Sequence, residues 1–400
     1  MTIAHPIHRA WLSTGGTGSQ NYDEFATDAE ITTIIATNPA SALGIEMPHR
    51  APESVGRSFT DSLPAAAQRL ADAKSDGRYA ERDEVAVVYR ITDPSGAVGY
   101  GLWTMVDTDQ ISTSADEPGL VIRNEDVFIE KVRERVALAQ AINHLLSPVL
   151  LLATVEPEEL HDALAATVAE AGEPAVTDVD PAGRRHEIWP VGPGARQDQL
   201  LKLAGTGELV VADGNHRSLA AQTAGLDRFL AVVTTPQSVA IQPYNRLIRT
   251  SQTGAAVAER LRAAGAAVTV LDAPPGIPGK GTINVYAADG AWAVQLLQDG
   301  SSVVDNLDHA LVERHLIGAA LGLDPGDKSI SYIGGDYSAE WLRSEVDAGR
   351  ASLAILIAPV TVDDFVAVNL ARLKLPRKST WFTPKARAGL VAAELPGAVS

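Results

Sequence analysis

Residues 208–225, ELVVADGNHRSLAAQTAG, constrain the fold most, because an apolar run there meets a glycine-centred polar loop that leads directly into a helical pattern. Leu209 to Ala212 predict a buried strand, and Asp213 to Arg217 predict a tight connection. One face of the following helix is indicated by Leu219, Thr223 and Leu226. A buried strand that runs into a helix through a short loop is typical of α/β and mixed α+β proteins, and we predict that fold class.

The same loop has the chemistry of an anion site. Backbone N–H groups in the first turn of a helix have no partner within the helix, and the helix dipole adds positive charge there. Arg217 adds a planar fork of donors suited to phosphate oxygens. In an alternative, structural interpretation, Asp213 or Asn215 caps the helix and Gly214 supplies a positive φ. His216 and Arg217 then make ordinary surface hydrogen bonds, and the loop alone leaves both interpretations open.

The charge of the chain limits the ligands of such a site. A formal net charge of -17 opposes a nucleic acid partner, because nucleic-acid binding depends on Lys and Arg side chains that neutralise phosphates. A small phosphate remains possible in a local basic pocket. The lack of cysteine excludes disulfides, thiolate metal sites and cysteine nucleophiles. A metal-dependent hydrolase built on His216 and Asp213 is disfavoured, since no second His lies nearby at a ligand spacing, and we predict no protein metal site.

Hydropathy predicts a globular cytoplasmic protein. The N-terminal sequence, MTIAHPIHRAWLSTGG, lacks a basic segment followed by a long apolar run, and no apolar stretch reaches the roughly 18 residues of a membrane span. Over 400 residues, a hydrophobic content of 46% is enough to bury the cores of two or three lobes. We therefore expect no membrane partner, and the sequence leaves the oligomeric state open.

Periodicity divides the chain into three segments. Two alternating runs around a hairpin signal at residues 93–96 place the start of the sheet core near Glu84. A helix is predicted over residues 129–146, where Ser147-Pro148 ends the apolar spacing. Beyond Thr250 the alternation of helices and strands restarts. We expect an N-terminal segment 1–83 packed on the core, a core 84–250 with the DGNHR loop, and a C-terminal α/β lobe 251–400.

The helix at residues 129–146 carries further charged candidates. Glu125 lies at its entrance, where acidic side chains normally complement the helix dipole, and it is also a candidate general base. Lys131 and Arg135 lie one turn apart on the same face, and they repel each other unless an anion or a carboxylate lies between them.

Basic residues crowd near the C-terminus of this acidic chain. In KLPRKSTWFTPKARAGL, the side chains of Lys378 and Lys385 flank the hydroxyls of Ser379 and Thr380. Arg246, in the earlier PYNRL segment, is a candidate for the same phosphate pocket. The alternative is a solvated basic tail that docks through the aromatic residues after Thr380.

Five sequence blocks together resemble the DUF1015 family of bacterial proteins, which is named for its lack of assigned function. The blocks span nearly the whole chain and are NYDEF, NED-x-F followed by a helix and SP, VADGNHR, PYNRL and PRKSTWFTPK. The central loop also resembles the Asp-Gly-His-His-Arg loop of free-serine kinases of the ParB/sulfiredoxin fold. In those kinases the loop binds nucleotide phosphates at a helix start.

This resemblance implies a ParB/sulfiredoxin-like nucleotide-binding core with an additional C-terminal α/β lobe. Asp213, Gly214, His216 and Arg217 match the kinase loop directly, whereas Asn215 replaces its first His. A donor or base supplied by that His would be an amide here. Sulfiredoxin chemistry is excluded because it needs a cysteine, and the net charge opposes ParB-type DNA binding.

The predicted function is that of a nucleotide-dependent phosphotransferase acting on a small hydroxylated metabolite, an ATP- or ADP-dependent kinase that uses Mg²⁺. Phosphoryl transfer demands mainly positioning and positive charge, together with a group that orients or deprotonates the attacking hydroxyl. The candidate catalytic residues are Glu125, Asp213 and His216. The candidate nucleotide-binding residues are Gly214, Asn215, His216, Arg217, Ser218, Arg246, Lys378, Ser379, Thr380 and Lys385. The alternative is a regulatory or partner-binding module that binds nucleotide without turnover.

Overall fold

The computed structural model describes residues 2–22, 24–25, 27–112, 119–123, 127, 129–298, 300 and 302–396. In this part of the chain the fold is mixed α/β. The helices are α1 (Asp28–Thr37), α2 (Leu43–Glu46), α3 (Leu63–Ser75), α4 (Ile129–Ile142), α5 (Pro157–Ala171), α6 (Ala195–Ala204), α7 (Asn215–Thr223), α8 (Gly254–Ala263), α9 (Asp308–Leu311), α10 (Ala339–Asp347) and α11 (Val362–Leu370), and a π-helix (Val312–Leu321) follows α9 directly.

The strands alternate with these helices along the chain. They are β1 (Ala4–His5), β2 (Ile7–Ser13), β3 (Tyr79–Thr92), β4 (Val98–Asp107), β5 (Val121–Ile122), β6 (His144–Leu145), β7 (Val149–Ala153), β8 (Val176–Val179), β9 (Arg185–Val191), β10 (Leu209–Asp213), β11 (Arg228–Thr234), β12 (Ala240–Gln242), β13 (Asn245–Ile248), β14 (Ala267–Val270), β15 (Ile283–Ala287), β16 (Gly290–Gln295), β17 (Ile330–Ile333), β18 (Leu353–Ile357), β19 (Trp381–Thr383) and β20 (Val391–Glu394). Among the described helices, none combines the length and the apolar character that crossing a membrane requires.

The chain forms two compact units, which differ from the three segments expected from the sequence. The first unit comprises residues 1–239 and 384–400, and the second comprises residues 240–383. The C-terminal residues belong to the first unit because β20 pairs antiparallel with β2. Residues 1–83 are likewise more than a segment packed on the core, since β2 also pairs with β3.

The first unit is built on a 12-stranded mixed sheet, whose main path has the order β5-β10-β7-β11-β4-β3-β2-β20-β6. The expectation that the sheet begins near Glu84 is wrong, because β2 already lies within it. The sequence of β2 explains this position: Ile7, Ala10 and Leu12 are buried, whereas His8 and Arg9 are exposed. Its apolar residues are few and interrupted by charged ones, so that the strand is difficult to recognise from pattern alone.

Helix α4 is shorter than the apolar spacing predicts. It ends at Ile142 because Asn143 adopts a left-handed conformation with φ of 52°, and the chain then enters β6 instead of continuing to Leu146. The short strand pairs with β20. The helix therefore stops where sheet pairing competes with it, six residues before Pro148, which was expected to end the pattern.

The second unit contains a 6-stranded antiparallel sheet of order β14-β16-β15-β18-β13-β17 and the two-stranded pair β12-β19. Its core lies where α8 and the π-helix cover this sheet, and Val257, Leu316 and Ile355 have no exposed surface there. Burying a side chain of this size contributes about 1.5–3 kcal/mol.

Candidate functional site

The strand–loop–helix junction predicted from the sequence is present in the first unit. Strand β10 lies between β5 and β7, and its residues from Leu209 to Val211 have no exposed surface. Gly214 is the N-cap residue of α7 and has φ of 98°. A Cβ atom there would lie 3.2 Å from the Val149 Cα and 3.1 Å from the Arg217 Nε. Glycine is therefore required at this position both for its positive φ and for its lack of a side chain.

Two cations meet at Asp213, where β10 ends. The Arg217 guanidinium, one turn into α7, forms an ion pair with the Asp213 carboxylate. The Lys385 Nζ approaches from the C-terminal segment and lies 3.2 Å from the Asp213 Oδ1. The same ammonium lies 3.7 Å from the Glu24 Oε1. The side chains of Asp213, Arg217, Lys385 and Glu24 are exposed by only 5–15%, so these charges interact with little screening by water.

Asn21 connects the carboxylate and the guanidinium. Its Nδ2 donates to the Asp213 Oδ2 over 3.5 Å, and its Oδ1 accepts from the Arg217 Nη1 over 3.5 Å. The Arg217 Nη1 also donates to the Pro148 carbonyl oxygen. Arg217 is therefore held by three different parts of the first unit: the loop itself, the segment before α1, and the segment before β7.

The first turn of α7 is buried rather than displayed on an open surface. Asn215, His216, Arg217 and Ser218 are exposed by 8% or less. The Ser218 hydroxyl donates to the Asn215 carbonyl oxygen over 3.0 Å. The part of the structural interpretation that placed His216 and Arg217 in surface hydrogen bonds is therefore wrong, whereas its positive φ at Gly214 is confirmed.

A second buried ion pair lies beside the junction. The Arg135 Nη1 donates to the Glu46 Oε2 over 2.8 Å, and both side chains are less than 7% exposed. The Arg135 guanidinium also lies 4.1 Å from the ring centroid of Tyr22. A cavity of about 50 Å³, lined by Arg135, Arg217 and mainly apolar side chains, lies between α4 and α7. That volume holds only one or two water molecules. The repulsion between Lys131 and Arg135 predicted an anion or a carboxylate between them, and Glu46 is a carboxylate that pairs with Arg135.

The other predicted site residues are not among those that the first unit brings together at Asp213. Arg246, Lys378, Ser379 and Thr380 belong to the second unit. Glu125 lies outside the described residues. Within the described ranges, no group of three or more His, Asp or Glu side chains is arranged to hold a metal ion.

Sequence reasoning missed Asn21 and Glu24 as site residues. Both lie in the NYDEF block, which carried the family resemblance without an assigned role. The NYDEF block itself could have indicated a site, because it contains two carboxylates, an amide and two aromatic rings in five residues. These residues follow no obvious helical or strand periodicity that would explain them as core positions.

Comparison with known proteins gives one family and several distant structural likenesses. The DUF1015 family model, described as a protein of unknown function, matches residues 17–310. No curated protein matches the sequence. A conserved hypothetical protein from Pyrococcus furiosus has a TM-score of 0.39 and 13% identity, over 72% of this chain and 95% of that chain. A free serine kinase in complex with AMP has a TM-score of 0.40 and 12% identity, over 72% of this chain and 92% of that one. SbnI with a C-terminal truncation, from Staphylococcus aureus, has a TM-score of 0.40 and 12% identity, over 72% of this chain and 87% of that one.

Proposed function

The chain belongs to the DUF1015 family, and from the geometry around Asp213 we propose that this member is a nucleotide-dependent phosphotransferase acting on a small hydroxylated metabolite. The observation that carries the proposal is the meeting of Arg217 and Lys385 at the N-terminal end of α7. Positive charge and oriented N–H donors at one point are the main requirements of a phosphate site. We also propose that the first unit contains a ParB/sulfiredoxin-like core, in keeping with the resemblance of its loop.

Phosphate oxygens would accept hydrogen bonds from the backbone N–H groups of the first turn of α7. Arg217 and Lys385 would supply the positive charge. The carboxylates of Asp213 and Glu24 hold these two cations in place before a ligand arrives, which lowers the cost of organising the site on binding. His216 would donate to a phosphate oxygen.

Asp213 is the proposed general base. The acceptor hydroxyl oxygen forms a bond to the terminal phosphorus of ATP or ADP, and the hydroxyl proton passes to Asp213. The bond between that phosphorus and the bridging oxygen breaks, so that ADP or AMP leaves with this oxygen. Mg²⁺ usually binds one or two protein carboxylates together with nucleotide phosphates. The Glu24 carboxylate would supply such an oxygen ligand, which leaves Asp213 to serve as the base.

Nucleotide binding is tested first, by the thermal unfolding of the full chain with ATP or ADP and Mg²⁺. We expect the nucleotide to raise the melting temperature, and we expect Lys385→Met to abolish the rise. Lys202→Met is the matched control, because Lys202 is an exposed lysine on α6 of the same unit. A wild-type protein that shows no shift at millimolar nucleotide would rule out the proposal.

A second candidate, nucleotide binding without turnover, is favoured by one observation. Asp213 is engaged by both Arg217 and Lys385, so it must leave at least one of these cations before it accepts a proton. Release of ADP or AMP in the presence of hydroxylated amino acids and related metabolites separates the two functions. Turnover that Asp213→Asn removes supports the phosphotransferase, whereas binding with no release from any acceptor supports the regulatory module.

A further inference from the structure

Arg246, on β13 of the second unit, is a buried arginine, and three of its five N–H donors have no hydrogen-bond partner within the described residues. It has no exposed surface. Its Nη1 donates to the carbonyl oxygens of Tyr244 and Asn245, over 2.9 and 3.3 Å. Within the described residues its Nε and Nη2 have no hydrogen-bond partner. These two nitrogens form one edge of the guanidinium, where parallel N–H donors match two oxygens of one anion.

The Glu313 carboxylate lies beside this edge but is not hydrogen-bonded to it. The Glu313 Oε1 lies 3.9 Å from the Arg246 Nη2, beyond hydrogen-bond distance, and that oxygen also lacks a hydrogen-bond partner in the described part of the chain. Burial raises the pKa of Glu313, against the opposing effect of Arg246 and Arg377. A buried guanidinium without a full partner is destabilising, so its presence calls for a functional explanation.

Further positive charge surrounds Arg246. Arg377 is near enough to lower the pKa of both Glu313 and Tyr332. The Lys378 Nζ lies 5.5 Å from the ring centroid of Tyr244, the residue whose carbonyl accepts from Arg246. In a protein of net charge -17, two arginines acting on one carboxylate, with Lys378 against the neighbouring Tyr244 ring, form an unusual local excess of positive charge.

The backbone near Glu313 is also unusual. Glu313 lies on the π-helix Val312–Leu321, and π-helical turns are rare and occur frequently at functional sites. The Asn245 Nδ2, on the strand that carries Arg246, is a further buried donor without a partner among the described residues.

We propose that Arg246, Asn245 and Lys378 form an oxyanion site within the second unit that binds the phosphate group of a small molecule. The Nε and Nη2 edge takes two phosphate oxygens, and the local excess of cations favours a dianion over a carboxylate. Glu313 is 19% exposed, and its movement toward solvent uncovers the Nη2. The residues belong to the second unit alone, so this site does not depend on the proposed function of the DGNHR loop.

The test uses inorganic phosphate and the full chain carrying Lys385→Met, which removes one of the two basic side chains from the first unit's site. Calorimetric titration at constant ionic strength should show saturable phosphate binding in this background, at least tenfold tighter than acetate. Adding Arg246→Lys, which keeps the charge and loses the two-donor edge, should weaken binding at least tenfold. Lys378→Met, a change outside the core, should weaken it about threefold and serves if the Arg246 variant fails to fold. Lys328→Met is the control, since Lys328 is an exposed lysine of the same unit.

Each other outcome overturns the proposal. Without saturable phosphate binding in the Lys385→Met protein, the second unit has no such site. Binding that neither Arg246→Lys nor Lys378→Met weakens identifies an adventitious ion only. Acetate binding as tight as phosphate binding assigns the site to carboxylates instead.

Discussion

The Lys385 Nζ lies 3.2 Å from the Asp213 Oδ1, and this contact ties the C-terminal segment of the chain to the end of β10. The tie is reinforced nearby, where the Arg387 Nε donates to the Asp178 Oδ2 over 2.7 Å and its Nη2 donates to the Gly18 carbonyl oxygen. Lys385, which lies near the C-terminus, thus completes a cluster around Asp213, which lies near the middle of the sequence. Both Lys385 and Arg217 form ion pairs with Asp213.

Replacing Asp213 by Asn should therefore destabilise the protein even without ligand. The change leaves Arg217 and Lys385 without the carboxylate that both contact, and removing one partner of a buried ion pair costs roughly 3–5 kcal/mol. Urea unfolding measures the loss. Asp162→Asn is the matched control, because Asp162 is exposed on α5, and we expect it to change the unfolding free energy by less than about 0.5 kcal/mol. Equal effects of the two substitutions would show that the cluster contributes nothing to folding.

Gly214→Ala should damage the junction more than a glycine change at the other end of α7. At Gly214 the added Cβ meets backbone at 3.2 Å and the Arg217 guanidinium, in addition to a φ of 98°. At Gly225 the φ is 65° and nothing lies within 4 Å of the added Cβ. Conformational strain alone costs about 1 kcal/mol, so Gly225→Ala should lose about that and Gly214→Ala about 3 kcal/mol. Equal losses in thermal unfolding would mean that the crowding at Gly214 is relieved without cost.

Local sequence signals predicted the local parts of this structure well. The strand predicted at Leu209 to Ala212 and the helix after the loop are confirmed, because each rests on neighbouring residues. The connection is shorter than the predicted Asp213 to Arg217, since the strand includes Asp213 and the helix already begins at Asn215. The start of α1 is also stabilised by neighbouring residues, since the Thr27 Oγ1 accepts from the Glu30 N–H and donates to the Glu30 carboxylate. The roles assigned to the DGNHR residues stay predictions.

Long-range pairing was not readable from the sequence. The partners of β2 are β3 and β20, and nothing in the local pattern of β2 indicates strands so far along the chain. The basic segment near the C-terminus looked like one group. It divides at Thr383, so that Lys385 belongs to the first unit and Lys378 to the second. The contribution of Asn21 was hidden for the same reason, since it depends on contacts with Asp213 at the end of β10 and with Arg217 on α7.

Glu394 on β20 should make the first unit sensitive to strong acid. Burial raises the pKa of Glu394, but hydrogen bonds from Trp11 and Lys74 outweigh it and lower the pKa to about 2. Because the folded-state pKa is depressed from 4.5, the stabilisation is present above about pH 4.5 and is lost as the pH falls to about 2. The shift corresponds to roughly 3 kcal/mol. Urea unfolding between pH 2 and pH 6 should show a shallower acid dependence for Glu394→Gln than for the wild type. The same slope in both proteins would contradict this, and Glu173→Gln, at an exposed loop position, provides the control.

His309 should produce a second pH dependence, this time in the second unit and at higher pH. Burial and the positive charge of Arg246 lower the pKa of His309 to about 3, although the Tyr244 backbone opposes the shift. The imidazole is therefore neutral in the folded protein, whereas in the unfolded chain it takes up a proton near its ordinary pKa of 6.5. Stability from this residue is complete above about pH 6.5 and falls as the pH drops toward 3.

We expect His309→Leu to flatten that dependence, because leucine fills a similar volume and binds no proton in the unfolded chain. Between pH 8 and pH 5 the wild type should lose about 2 kcal/mol of unfolding free energy that the variant keeps. The loss arises because pH 5 lies roughly 1.5 units below the pKa at which the unfolded chain takes up a proton on His309. The other buried histidines, His144, His186 and His216, are present in both proteins, so their contributions cancel in the comparison. His8→Leu is the control, since the His8 side chain is 82% exposed. A pH-independent difference between His309→Leu and wild type would contradict this, because it would mean that His309 takes up a proton as readily in the folded state as in the unfolded chain.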